Sequence, residues 1–163
     1  MISKNSPIAV VDSGMGGITV LKKLHRIMPN ENYIYLADIK HAPYGEKSHE
    51  TILRYSIVNT KKLVDLGCKA VIIACNTATA VAADELRKEF DIPIFGIEPA
   101  IKPAALNGGN VLVLTTERTV AEQRFNQLIN KYQNEIDTKF ITIPVQKLVK
   151  FVEEEKGESE ETV

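Results

Sequence analysis

Cys75 stands where an apolar run over 70–74 (AVIIA) gives way to a segment over 78–89 rich in Ala, Leu, Arg and Glu. The run is of the kind buried inside a parallel sheet, and the segment after it favours a helix. The thiol is therefore expected at the carboxyl end of a strand, beneath the first free N–H groups of a helix. That setting attracts anions and lowers a thiol's pKa, which suits a base or a nucleophile. Asn76 and Thr77 add side-chain donors beside it. Free cysteine is also among the most buried residue types, so plain packing competes for the same position.

Three further loops carry polar residues suited to a small zwitterion. Asp12-Ser13-Gly14-Met15-Gly16-Gly17 follows the first apolar run. Its glycines fall as G-x-G-G, which is not the dinucleotide fingerprint, yet they let backbone N–H groups approach a carboxylate. Asp12 can bind an ammonium group, influence a nearby proton transfer, or cap the next helix with Ser13. Ala42-Pro43-Tyr44-Gly45 taken alone reads as simple loop chemistry, with a binding turn as the alternative. In Thr115-Thr116-Glu117-Arg118-Thr119 the hydroxyls sit at a helix start, where capping explains them as well as binding does. Glu98 and Lys102, in the segment linking 96 to 103, are expected to form a surface pair.

Alternating strands and helices must position these loops. Strands are expected over 8–11, 33–37, 70–74, 94–96, 111–114 and 140–143. Between the first two, Val20, Leu21, Leu24, Ile27 and Met28 line one helical face, and Pro29 ends it. Ser48 can N-cap a long helix whose Leu53, Ile57, Thr60 and Val64 share a face and which Gly67 stops. Further helices are expected over 78–89, 120–132 and 146–155. This rhythm predicts an α/β fold, a parallel sheet flanked by helices, whose ligands bind outside the carboxyl ends of the strands. Asn107-Gly108-Gly109-Asn110 punctuates the chain. It suggests a unit over 1–106, an incomplete second α/β half over 107–156, and an acidic disordered tail over 157–163.

Composition excludes several functions. Twenty basic and 21 acidic residues leave a formal charge of −1, with no basic cluster for nucleic acid. No apolar run approaches the ~20 residues that cross a bilayer, and the N-terminal segment lacks a signal-peptide core, so a cytoplasmic protein is expected. His25, His41 and His49 have no ligand spacing with the thiols, and no metal is expected. Cys68 and Cys75 flank a strand, roughly 20 Å apart at ~3.3 Å per residue. A disulfide needs Cα atoms within about 7 Å, so Cys68 is read as a packing residue and both thiols as reduced.

Taken together, Asp12-Ser13-Gly14-Met15-Gly16-Gly17, Ala42-Pro43-Tyr44-Gly45, Ala74-Cys75-Asn76-Thr77-Ala78 and Gly96-Ile97-Glu98-Pro99 resemble, in order and spacing, the N-terminal part of the glutamate racemases of the aspartate/glutamate racemase superfamily. Thr116 and Thr119 look like that family's paired threonines, and 146–153 (QKLVKFVE) resembles its later helix less closely. The resemblance implies cofactor-free interconversion of L- and D-glutamate for peptidoglycan synthesis. Two cysteines on opposite faces of the substrate, one from each pseudo-symmetric half, act as acid and base. Cys75 would serve one face, with Asp12 assisting. Asp12, Ser13, Tyr44, Gly45, Asn76, Thr77, Thr116 and Thr119 would hold glutamate.

The family's second cysteine lies in a Gly-Cys-Thr-His motif that this sequence does not contain. The chain alone is therefore expected to be impaired. Alternatives are a glutamate-binding module without turnover, a racemase of aspartate or another amino acid, and a homo-oligomer in which two copies pair their Cys75 thiols across one site.

Overall fold

The computed structural model describes residues 2–136 and 138–148. Four parallel strands, β1 (Ile8–Asp12), β2 (Tyr33–Ala37), β3 (Ala70–Ile73) and β4 (Ile94–Gly96), form one sheet in the order β2-β1-β3-β4. The two interior strands are the apolar ones: every residue of β1 is buried, and Val71 and Ile73 of β3 are enclosed. Between the strands run α1 (Ile18–Ile27), α2 (His49–Asp65) and α3 (Asn76–Glu89). The fold is the expected α/β arrangement of a parallel sheet with flanking helices. Two 3-10 turns, Ile39–His41 and Tyr44–Glu46, carry the chain from β2 into α2.

Local signals explain most boundaries. The Ser48 hydroxyl accepts the Thr51 N–H and caps α2. After the helix ends at Leu66, Gly67 takes a φ of 81°, a left-handed conformation that glycine adopts without strain. The buried face of α2 is rotated from the expected one. Ile52, Ser56, Asn59, Thr60 and Leu63 are buried, whereas Leu53, Ile57 and Val64 are only partly enclosed. Of the expected face only Thr60 is fully buried, and that face passed over Ile52, Ser56, Asn59 and Leu63.

The rest of the chain builds a second layer. The helix α4 (Ile101–Leu106), unforeseen in what looked like a linking segment, leads into β5 (Gly109–Thr115). The single helix expected over 120–132 is two, α5 (Glu117–Ala121) and α6 (Gln123–Glu135), because Glu122 adopts an extended backbone between them. β6 (Thr138–Pro144) pairs in parallel with β5 as a separate two-stranded sheet. Ile101, Val113 and Phe125 form its small core. Of the helix expected over 146–155, residues 146–148 are helical and the remainder lies outside the described residues.

Candidate active site

Cys75 is itself the N-cap of α3. Its backbone is extended, and the Ala78 N–H donates to Sγ at 3.4 Å. The thiol is buried, one residue beyond Ala74, whose N–H donates to the Val11 carbonyl of β1. Ser13 Oγ lies 3.3 Å from the sulfur. The expected fall in pKa is reversed. Burial pushes the Cys75 thiol up, the Asp12 charge adds to that, and the hydrogen bonds from Ser13, Ala78 and Thr77 only oppose it. A helix N-terminus lowers a thiol's pKa, and here burial of the sulfur outweighs it.

Asp12 ends β1 with its carboxylate turned into the glycine loop. It accepts the Ser13 N–H at 2.8 Å and the Gly17 N–H at 2.6 Å, so it both shapes the turn and faces the thiol. Gly17 is required by closeness: a Cβ there would lie 2.9 Å from the Asp12 Cβ and 3.0 Å from that of Ala74. Neither Asp12 nor Ser13 caps α1, whose N-cap position is Gly17 and carries no side-chain cap; Asp12 braces the loop before it.

Tyr44 is buried, and its hydroxyl donates to Asp38 Oδ2 at 2.6 Å. Asn59 Nδ2 donates to the same carboxylate oxygen at 3.1 Å, and His41 Nδ1 lies 2.7 Å from the other oxygen. Burial opposes ionisation of Asp38, but the bonds from Tyr44, His41 and Asn59 together hold it below the ordinary carboxylate range. Burial and the hydrogen bond to Asp38 push Tyr44 far up, so its phenol stays protonated and engaged behind the site. Asp38 and Asn59 were not singled out from the sequence. The usable signal was Asn59 in register with Ile52, Ser56 and Leu63 on the buried face of α2.

The two sheets meet at three hydroxyls. Thr77 Oγ1 lies 3.1 Å from Thr116 Oγ1 and 3.2 Å from Thr119 Oγ1, and the latter two are 2.9 Å apart. Thr116 also caps α5 by accepting the Thr119 N–H. Gly45 packs against this join, where a Cβ would come within 2.7 Å of Thr116 Cγ2 and 2.6 Å of Gln146 Oε1. Glu98 pairs with Arg124 at 2.6 Å, in place of the surface pair expected with Lys102. Arg124 reaches Asp84 as well, at 2.7 Å.

Asp12, Ser13, Tyr44, Gly45, Cys75, Asn76, Thr77, Thr116 and Thr119 all line one open cleft of about 400 Å³ between the sheets. Leu114, Val145 and Leu148 supply an apolar wall. Cys68 is buried at the far end of β3, and both cysteines are free thiols. Among the described residues no helix is long and apolar enough to cross a membrane.

With a thiol, a carboxylate and a ring of donors gathered at the carboxyl ends of parallel strands, comparison with known proteins decides the family. Residues 8–163 match the Asp/Glu/Hydantoin racemase family. The chain belongs to that family. A glutamate racemase of Clostridium perfringens strain SM101 is 47% identical over 161 residues, covering 97% of this chain and 61% of that protein. One from Clostridium acetobutylicum is 43% identical, covering 94% of this chain and 60% of that protein. Among solved structures, Escherichia coli glutamate racemase in complex with L-glutamate and the activator UDP-MurNAc-Ala superposes with a TM-score of 0.77 at 33% identity, over 89% of this chain and 55% of that one. The Francisella tularensis enzyme in complex with D-glutamate gives 0.70 at 36%, over 85% and 53%. The chain thus spans about 60% of the length of these curated relatives.

Proposed function

We propose that this chain carries one face of a glutamate racemase active site, with Cys75 as one of two thiol acid/bases in a cofactor-independent inversion at the α-carbon. The observation that carries the reading is the meeting of Cys75, Asp12 and the donors of four loops in one cleft of about 400 Å³, in a family whose most similar relatives are glutamate racemases. Residues 1–106 are assigned to a racemase-type unit bearing this thiol, and 107–156 to the opening of a second α/β half. The product supplied would be D-glutamate for peptidoglycan.

The Cys75 thiolate takes the α-proton of glutamate and becomes the thiol, and the C–H electron pair delocalises into the α-carboxylate. The donors assigned to the carboxylate as that charge develops are Ser13, Asn76, Thr77, Thr116 and Thr119, the threonines once an edge of their hydroxyl triangle opens. Burial and Asp12 make the thiolate scarce but strongly basic, which suits a weakly acidic carbon acid. Inversion then needs a proton delivered from the opposite face. Cys68, buried before β3, lines no part of the cleft, and we infer that this chain alone exchanges the proton without completing the inversion.

Proton NMR of the chain with each glutamate enantiomer in D₂O tests this. Loss of the α-proton of one enantiomer without inversion, abolished by Cys75→Ala, is the expected result. Full inversion would mean that a second copy supplies the acid and would overturn the impairment. Absence of exchange with either enantiomer, identical in Cys75→Ala, would overturn the catalytic reading and leave a glutamate-binding module.

A further inference from the structure

Behind Cys75, on the side away from the cleft, lies a second and much smaller space. Cys75, Asp12, Ser13 and Tyr44 bound it on one side, and Ser56, Asn59 and Thr60 of α2 on the other. Its room for the centre of a water-sized sphere is about 10 Å³. A single buried water needs about 10–15 Å³ by that measure, together with two to four polar partners. The walls supply them. Ser56 is 7% exposed and Thr60 1% exposed, and neither Ser56 Oγ nor Thr60 Oγ1 has a hydrogen-bond partner among the described residues. An orphaned buried hydroxyl is costly, and here two of them stand one helical turn apart against the same small space.

We propose that this space is a built site for one water molecule, held by Ser56 and Thr60, which hydrogen-bonds the Cys75 sulfur from behind and makes these two α2 residues positioning residues for the thiolate. A water there accepts a hydrogen from each hydroxyl and turns its own hydrogens outward, one of them to Sγ. The ionisable groups facing the thiol are Asp12 from β1 and Tyr44, itself tied to Asp38. The residues that α2 presents to this space are uncharged, as are Ile73 of β3 and Ala78 and Leu86 of α3. Ser13 and the start of α3 already donate to the sulfur, Tyr44 is engaged with Asp38, and a water held by α2 adds a donor from the remaining side. The inference rests on the reading of Cys75 as an acid/base, but it concerns how the sulfur is held and not whether glutamate turns over.

The test follows iodoacetamide alkylation of the Cys75 peptide by mass spectrometry against pH in the full chain, which separates it from the Cys68 peptide. Removing a donor to the thiolate disfavours the charged form, so the midpoint must rise. In Ser56→Ala/Thr60→Val it is expected to rise by about one pH unit, a roughly tenfold slower reaction at any pH below it. Thr60→Ser, which keeps the hydroxyl, should retain the parent midpoint. An unchanged or lowered midpoint in a folded double variant overturns the proposal, as does a Thr60→Ser variant that shifts as far as Thr60→Val, which would trace the effect to packing. Should the double variant fail to fold, Ser56→Ala alone carries the test, with a smaller rise expected and none overturning it. A shifted midpoint without any α-proton exchange would leave the water site standing and remove the racemase reading instead.

Discussion

The four-stranded sheet and the two-stranded sheet follow opposite burial rules. In the first, β1 and β3 are paired on both edges and covered on both faces, as parallel sheets ordinarily are. In the second, Val113 faces a small core, while Leu112, Leu114, Ile141 and Ile143 are 56%, 52%, 45% and 42% exposed. The register pairs Leu112 with Ile141 and Leu114 with Ile143, so these four form one bare apolar face. The thiol sits on the well-buried sheet, and the paired threonines sit on the bare one. Half of the cleft is therefore fixed by a deep core, and the other half is held largely by what it touches across the join.

That contrast is open to direct attack. Leu63→Ala, in the main core, should cost about 3 kcal/mol in urea unfolding, whereas Leu112→Ser should cost nothing measurable or improve solubility. Equal losses would mean that the two sheets are equally enclosed in solution. The join itself is the next target. Thr77→Val leaves the hydroxyls of Thr116 and Thr119 one partner short, and about 1–2 kcal/mol is expected. Hydrogen exchange should show the loss first in β5 and β6. A uniform loss over both sheets would merge them into one cooperative unit. Smallest is Arg124→Gln, which cuts the links from α6 to Asp84 on α3 and to Glu98. These partners are partly exposed, so about 0.5 kcal/mol is expected, fading as salt rises. A salt-independent effect would show that the arginine acts by packing.

The strand and helix rhythm was legible because β1 and β3 are apolar through and through, and because Ser48 and Gly67 punctuate α2. The loops that line the cleft were legible for the same reason, since alternation alone brings their strand ends to one edge. The buried polar residues were not legible. Ser56 and Asn59 fall off the face on which Thr60 is counted, until Tyr44, Asp38 and the small space beside Cys75 give them something to face. The break at Glu122 was hidden similarly. It is a buried carboxylate beside His49 at 3.0 Å and Arg118 at 2.8 Å, residues that the sequence places in two different elements. The direction of the thiol's shift depends on how deeply the sulfur is buried, which no motif records.

The three threonine hydroxyls form a closed triangle, and a triangle of hydroxyls holds three hydrogens for three edges. While every edge is made, each hydrogen is committed, and the trio offers an incoming carboxylate only oxygens that repel it. To receive an anion, one hydroxyl must turn outward and open an edge, and two of the three edges are what tie Thr77 to the second sheet. Occupancy and cohesion are therefore antagonists at this point: a ligand held by these threonines loosens the seam it rests on, and a seam fully closed keeps the ligand out.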